Sequence, residues 1–513
     1  MVKEAAIVEP EGKRAAGVAQ RTSLRRLGRD TAIYSLGVVL ARAVSFFMLP
    51  VYTRYLTTSD YGVLSLLDMT VEIASILFVA GVTAGMSLFY YQTTDEYERG
   101  TIVRTGYIVE VLLGFVAGAV IMAAATPIWH YGLRDAGTPG LVRLSGISLA
   151  LSTLLGAPRA VLQMQQKSHS VVGLSITRLV LQLGLNILFV VGLRLNVAGV
   201  LYSTIIANGV VGVILAVWLF RSTHGKFSWP VLVRLRKYGV PTQLSSAGQF
   251  VLTFGDRFFL QASHGAASVG LYGLAYQFGF LLNQIGATPI INAWTPQRLQ
   301  LMTAPRAVRD AKYSEGFFFV NLVLLSMAAA IGIGVRPLLQ IMTTPAFHAA
   351  ARIVPLVLAA YVVVSWTDVV RFAVTAAERP RYLAYGSWFG VAVIVPLYAL
   401  LIPRFGGMGA AVATLLAFLM RFGLMYYWSQ QVWPVTYEWG RILRLTTIAV
   451  AAVTTAVLLP AQSFMVNVGI AALLMLAYVA AAWLFVLRPE DRSRAWQAMR
   501  APRQTLAALR AAA

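Results

Sequence analysis

The sequence contains no cysteine, which excludes disulfides, thiol nucleophiles and cysteine-ligated metal sites. Charged residues are also scarce, because only 12% of the 513 residues are Asp, Glu, Lys or Arg, whereas a soluble domain carries roughly 25%. Histidine occurs five times, and no two of these histidines have the spacing of metal ligands. We therefore predict no metal and no other cofactor.

Motifs for phosphate binding and for catalysis are missing too. The sequence has neither a Walker A loop nor a dinucleotide-binding fingerprint, so ATP-driven transport by this chain alone is not expected. Its segments between apolar stretches are short, and none presents the paired carboxylates that general acid–base chemistry uses. These absences predict a protein that is not an enzyme.

The chain is rich in apolar residues, with 58% hydrophobic residues and a mean hydropathy of +0.70. Crossing a bilayer takes about 20 apolar residues, and this criterion predicts an all-α polytopic membrane protein with fourteen spans. The predicted spans are 31–52, 62–91, 102–127, 141–164, 171–193, 197–220, 241–262, 269–299, 313–335, 351–376, 382–402, 408–429, 445–460 and 466–487.

The net charge of +22 is distributed unevenly between the two sides of these spans. Both termini and the loops on their side hold most of the Lys and Arg, so the positive-inside rule places that side in the cytoplasm. The same distribution explains the excess of Lys and Arg over Asp and Glu, so we do not expect nucleic acid as a partner. The arginines predicted on the opposite side are Arg54, Arg134, Arg143, Arg194, Arg336, Arg352 and Arg404.

An internal repeat predicts how the spans are grouped. The stretch RLNVAGVLYSTIIA at 194–207 aligns with RFGGMGAAVATLLA at 404–417, which indicates a six-helix repeat. Repeats of this kind form two parallel lobes around a central cavity. The predicted divisions are a basic cytoplasmic tail (1–28), an N-terminal lobe (29–220), a cytoplasmic linker (221–240), a C-terminal lobe (241–430), two additional helices (431–487) and a second cytoplasmic tail (488–513).

Several charged residues fall inside predicted spans, where each costs about 2.5–3.5 kcal/mol unless it has a partner or a wet cavity. Asp68 and Glu72 are four residues apart and share one helical face. Arg42 lies too far inside the first span to reach water easily. We expect the face of Asp68 and Glu72 to look at a polar cavity or at a cationic partner, and Arg42 is a candidate for the cavity lining.

Two further candidates are charged pairs in the second half of the chain. Asp368 and Arg371 are three residues apart, so they either pair with each other or line the cavity. Asp256 and Arg257 are adjacent and point about 100° apart on a helix, so we expect them to contact different neighbours.

Residues 29–68, which contain MLPVYTRYLTTSDYGVLSLLD, resemble the opening of the polysaccharide transporter branch of the multidrug/oligosaccharidyl-lipid/polysaccharide (MOP) exporter superfamily. In that pattern an apolar helix ends in a P-x-Y-T-R-x-L turn, and an acidic residue and Tyr-Gly follow before the second helix. The stretch GDRFFLQASHGAASVGLYGLAYQ at 255–277 is similar to the start of the family's second lobe. The matching positions of the turn are Pro50, Tyr52, Thr53, Arg54, Leu56, Asp60, Tyr61 and Gly62.

The resemblance implies a function in the bacterial cytoplasmic membrane. Members of this branch flip polyprenyl-diphosphate-linked oligosaccharides from the inner to the outer leaflet, for O-antigen, capsule or exopolysaccharide. The implied partners are this lipid-linked glycan, membrane lipid, and a glycan polymerase or other assembly proteins. Arginine binds phosphate oxygens in bidentate fashion. The implied substrate-binding residues are Arg42, Arg257 and Arg371, with Arg54 at the outer mouth, and the implied ion-coupling or charge-supporting residues are Asp68, Glu72, Asp256 and Asp368.

Other functions fit parts of the sequence. A multidrug/cation antiporter of the same superfamily would need acidic cavity residues, whereas arginine is in excess here. A lipid II flippase would share the mechanism and differ in the headgroup that it moves. A non-transporting scaffold of a glycan assembly complex and a membrane enzyme of glycan polymerisation are the alternatives from other classes.

Overall fold

A computed structural model of the chain describes residues 48–79, 81–377, 380–460 and 462–493. All regular secondary structure within these ranges is helical, which confirms the predicted fold class. Most of the first predicted span, including Arg42, lies outside the described residues, as do the predicted tail 1–28 and most of the tail 488–513.

The helices follow the long apolar runs, and polar, Gly or Pro residues separate them. In chain order they are α1 (Leu49–Tyr55), α2 (Thr58–Ala74), α3 (Val82–Gln92), α4 (Glu96–Ala123), α5 (Pro139–Ser152), α6 (Gly156–Met164), α7 (Ser168–Asn186), α8 (Asn196–Ser222), α9 (Trp229–Phe254), α10 (Asp256–Leu281), α11 (Thr288–Gln300), α12 (Arg306–Met342), α13 (Val354–Ala376), α14 (Pro380–Val432), α15 (Trp439–Leu458) and α16 (Phe464–Phe485).

Eleven helical segments among the described residues are long and apolar enough to cross a membrane. Two of them, Ser246–Gln300 and Arg381–Val432, contain 55 and 52 residues. A straight helix of that length would measure roughly 80 Å, against about 30 Å of bilayer core. Each is broken by a glycine with a left-handed φ, 76° at Gly265 and 55° at Gly406, a conformation that glycine adopts without steric cost. Both segments are therefore long enough to cross twice, while the total of fourteen spans stays a prediction.

The described residues divide into two compact units. The first contains Val71–Thr126 and Pro139–Leu244, and the second contains Leu49–Thr70, Pro127–Thr138 and the chain from Ser245 onward. The predicted N-terminal lobe (29–220) thus contributes two segments to the second unit, including the turn between α1 and α2. The arrangement as two six-helix lobes around a central cavity stays a prediction.

Close backbone contacts explain why the turn between α1 and α2 packs in the second unit. A Cβ atom on Gly62 would overlap the carbonyl of Ala266, so α2 approaches α10 as closely as only glycine allows. The Thr53 hydroxyl donates a hydrogen bond to the Met342 carbonyl at 3.0 Å. The turn recognised in the sequence is therefore fixed to α10 and to the end of α12.

Candidate functional site

A buried ion pair begins α10 in the second unit. Asp256 is 0% exposed and Arg257 is 2% exposed, and Arg257 Nη1 lies 3.1 Å from Asp256 Oδ1. The expectation that the two residues contact different neighbours is therefore wrong. The long arginine side chain folds back past its own backbone, and Nη1 also donates to the Thr253 carbonyl at 3.2 Å.

Two tyrosines complete the environment of this pair. The hydroxyls of Tyr272 and Tyr276 donate to Asp256 Oδ2 at 2.5 and 3.2 Å, and the Arg257 guanidinium lies 4.3 Å from the Tyr276 ring centroid. Tyr272 would lie roughly 24 Å from Asp256 along a straight helix. The break at Gly265 turns the chain back and brings the two halves of α10 together. Asp256 thus pairs with Arg257 and accepts hydrogen bonds from both tyrosines, while the charge-supporting role that the resemblance implies stays a prediction.

Two adjoining pockets lie next to this cluster, with volumes of about 340 and 400 Å³. Asn283, Asp368 and Arg371 line both of them. Arg421 of α14 lines the pocket beside Tyr276, and Arg298 of α11 lines the other. We call this pair of pockets the cationic cavity, because three arginines face a single carboxylate there.

Asp368 and Arg371 form an ion pair and also line the cavity. The two alternatives that their spacing allowed, pairing and cavity lining, therefore occur together. Arg371 Nε lies 3.2 Å from Asp368 Oδ1, and the arginine side chain is 50% exposed. Residues three apart on a helix lie on one face, and this face of α13 borders both pockets. A partly exposed ion pair of this kind contributes little stability, and half of the Arg371 side chain remains accessible to a ligand.

The other two arginines of the cationic cavity have donors for which no described residue provides an acceptor. Arg298 Nη2 donates to Thr295 Oγ1 at 2.7 Å, whereas its Nε and Nη1 are buried and have no hydrogen-bond partner among the described residues. Arg421 donates from Nη1 to Gln249 and from Nη2 to Ser387, and its buried Nε also lacks a partner. Buried donors without acceptors are costly, and guanidinium N–H groups can donate to the oxygens of an anion.

The remaining predicted site residues lie on α1 and α2 and do not line the cationic cavity. Arg54 is exposed in the last turn of α1, and Asp68 is exposed on α2 within the second unit. Glu72 is exposed on the part of α2 that belongs to the first unit. Their roles at an outer mouth or in charge support stay predictions, as does that of Arg42, which is outside the described residues.

A protein-family model described as "Polysaccharide biosynthesis protein" matches residues 27–302, which is more than half of the chain. The chain belongs to this family. No curated protein matches its sequence. The polysaccharide biosynthesis family was also the resemblance carried by the turn at 50–62, so that identification is confirmed.

Solved structures similar to this family member belong to flippases and transporters. The lipid II flippase MurJ in its inward closed conformation has a TM-score of 0.69 and 10% sequence identity, over 89% of this chain and 100% of that chain. An inward-facing multidrug resistance MATE family transporter of the MOP superfamily has a TM-score of 0.60 and 13% identity, over 78% of this chain and 97% of that chain. At such identities the likeness concerns the fold. This polysaccharide biosynthesis family member thus shares its fold with a lipid II flippase and a multidrug transporter, and its described residues include eleven helical segments long and apolar enough to cross a membrane.

Sequence reasoning did not single out Arg298 in this family member. Arg298 lies at the end of a predicted span, where an arginine ordinarily reaches the interface. Its only sequence signal is Trp294, four residues earlier, whose ring centroid lies 5.2 Å from the guanidinium. Arg421 falls inside the predicted span 408–429, where its position in the sequence does not indicate which helices it contacts. Its place in the cavity depends on contacts between α9, α13 and α14, which local spacing does not encode.

Proposed function

We propose that the protein flips polyprenyl-diphosphate-linked oligosaccharide units from the inner to the outer leaflet of the bacterial cytoplasmic membrane, by alternating access and with both termini in the cytoplasm. The unit would then be available to a glycan polymerase for cell-surface polysaccharide. The observation that carries this proposal is the cationic cavity, in which Arg298, Arg371 and Arg421 face one carboxylate, Asp368, among the described lining residues.

The charge of the cavity matches the difficult part of such a substrate. A diphosphate carries negative charge that a low-dielectric interior does not solvate, so its passage requires fixed positive charges and hydrogen-bond donors. The half-exposed Arg371 would supply both, and Arg298 and Arg421 would add N–H groups that have no acceptor among the described residues. The apolar polyprenyl tail needs no such lining, because it remains in the lipid.

The position of the cavity supports loading from the inner leaflet. Arg298 lies in the last turn of α11, and Arg371 lies near the end of α13. The charge distribution of the loops predicts that both helix ends are cytoplasmic. Asn283 and Thr253 add neutral polar groups to the wall, and these groups suit the hydroxyls of a sugar.

The same charges argue against the cation antiporter. An organic cation bound in this cavity would meet three guanidinium groups and one carboxylate that already pairs with Arg371. A lipid II flippase moves a substrate with the same diphosphate chemistry, so the arginines alone do not distinguish the two headgroups. The sugar preference of the purified protein makes that distinction.

The test is transport in reconstituted vesicles, with the wild type beside Arg298→Ala, Arg371→Ala and the control Arg404→Ala. Arg404 is an exposed arginine of α14 in the same unit. Replacing it with alanine removes one positive charge, as each of the two cavity variants does. We expect flipping of a polyprenyl-diphosphate oligosaccharide in the wild type and the control, and its loss in both cavity variants. A wild type that flips none of the lipid-linked glycans offered, but exports a cationic dye against a proton or sodium gradient, would overturn the proposal.

A further inference from the structure

Glu110 is an acidic residue at the centre of α4, in the first unit, and it is only 4% exposed. Leaving an ionised carboxylate in such a place is unfavourable without a positive charge beside it. No ion pair joins Glu110 to any residue that the structure describes. The protein therefore holds a buried acid that none of its described side chains neutralises.

The contacts of Glu110 are hydrogen bonds from neutral groups. Thr83 Oγ1 of α3 donates to Oε2 at 3.4 Å, and the backbone N–H of Ala157 donates to the same carboxyl group. Ala157 is the second residue of α6, so the carboxyl group lies at the amino end of that helix. Two neutral donors and the amino end of a helix stabilise a carboxylate to some extent, but they do not replace a full positive charge.

The surrounding elements hold few titratable groups. Tyr107 lies one turn before Glu110 on α4, is buried, and has a hydroxyl without a partner among the described residues. Arg159 of α6 and Arg143 of α5 are exposed and make no ion pair with Glu110. The aromatic pair Tyr90-Tyr91 lies at the far end of α3 from Thr83. Tyr107 is thus the only buried titratable neighbour on these elements, and it is neutral.

The packing around the carboxyl group is tight. A Cβ atom on Gly156 would overlap Glu110 Oε1, so only glycine at the start of α6 lets the carboxyl group enter. A site this close-packed accommodates a proton, which needs no coordination shell, and excludes a hydrated metal ion. A protonated carboxyl group can remain there without a counter-charge, because it is neutral.

We propose that Glu110 is a proton-binding site of the first unit, loaded while α3, α4 and α6 pack around it and unloaded when that packing opens. This inference rests on the proposed transport function and names the ion that would drive it. Proton occupancy favours the packed arrangement, because the neutral acid is cheaper to bury than the carboxylate. Loss of the proton favours an arrangement that admits water to the carboxylate, so the proton is coupled to a structural change.

Infrared spectroscopy tests the protonation directly. The wild type in lipid nanodiscs at neutral pH should show the carbonyl band of a protonated carboxylic acid, and Glu110→Gln should lack that band. The control Glu96→Gln removes an exposed carboxylate from the same helix and should retain it. The proposal fails if the wild type shows no such band or if Glu110→Gln leaves it unchanged.

Transport measurements test the coupling. We expect an imposed proton gradient to raise the flipping rate of the wild type and of Glu96→Gln, and the ratio of rates with and without the gradient to fall to one in Glu110→Gln. Glutamine mimics the neutral acid, so this variant should fold, and Gly156→Ala should displace the carboxyl group and weaken the response as well. A gradient response that survives in Glu110→Gln contradicts the coupling. If the wild type flips no glycan at all, the proposed function fails, whereas the infrared comparison still decides whether Glu110 binds a proton.

Discussion

Arg371 and Asp368 form an ion pair within one turn of α13, and both side chains line the cavity that Arg298 and Arg421 also face. The carboxylate orients Arg371 without enclosing it, since half of the arginine side chain remains exposed. Substitutions of these two residues on α13 should therefore change the affinity of the cavity for an anion most directly.

The balance of charge on α13 predicts opposite effects of two substitutions. Arg371→Ala should weaken binding of a short-chain prenyl diphosphate by about 10- to 100-fold, which corresponds to the loss of one hydrogen-bonded charge contact. Asp368→Asn should bind the same ligand at least as tightly as the wild type, because it removes the one carboxylate among the described residues that line the cavity. Equilibrium binding to the detergent-solubilised protein measures both, and equal losses in the two variants would contradict an anion site.

The guanidinium geometry of Arg298 should matter as well as its charge. Lysine keeps the positive charge but has no planar fork, so Arg298→Lys should lose most of the flipping rate. The matched change Arg404→Lys, at an exposed arginine, should leave the rate unaltered. Initial rates in vesicles with equal amounts of folded protein provide the measurement. Full activity in Arg298→Lys would mean that charge alone suffices at this position.

The Asp256–Arg257 pair should be important for folding. Asp256→Asn leaves a guanidinium buried without its counter-charge and should lower the free energy of unfolding by about 3–5 kcal/mol. Removing both charges in Asp256→Asn/Arg257→Gln should recover much of this loss, because no uncompensated charge then remains. Reversible unfolding in detergent micelles gives the comparison. If the double variant is as unstable as the sum of the two single variants, the residues do not act as a pair.

Backbone packing between α2 and α10 predicts a steric effect. Gly62→Ala should destabilise the protein by about 1–3 kcal/mol, since the added methyl group overlaps a carbonyl that cannot rotate away. The control is Gly334→Ala in the interior of α12, where a Cβ atom would meet no other atom, and it should stabilise by about 0.5–1 kcal/mol. The shift in unfolding temperature of the two variants should therefore have opposite signs.

Much of the architecture was predictable because membrane insertion imposes a strong constraint. Spans are long and apolar, since every backbone polar group must find a partner within its own helix, and eleven helical segments of the described residues coincide with long apolar stretches. The pairing of Asp368 with Arg371 was also predictable, because a spacing of three places both on one helical face. These are local properties, and periodicity reports them directly.

The site was predictable only in part. Its other residues are brought together by contacts between segments that are far apart in the sequence. Asp256 meets Tyr272 only because the chain reverses at Gly265, and Arg298 joins Arg371 only because α11 and α13 line the same cavity. The sequence by itself determined the class of protein, its family and the scarcity of buried charge. The tertiary structure decided which charges are paired, which face the cavity, and that Glu110 is neutralised by no described side chain, because these outcomes depend on distances between helices rather than on spacing along one of them.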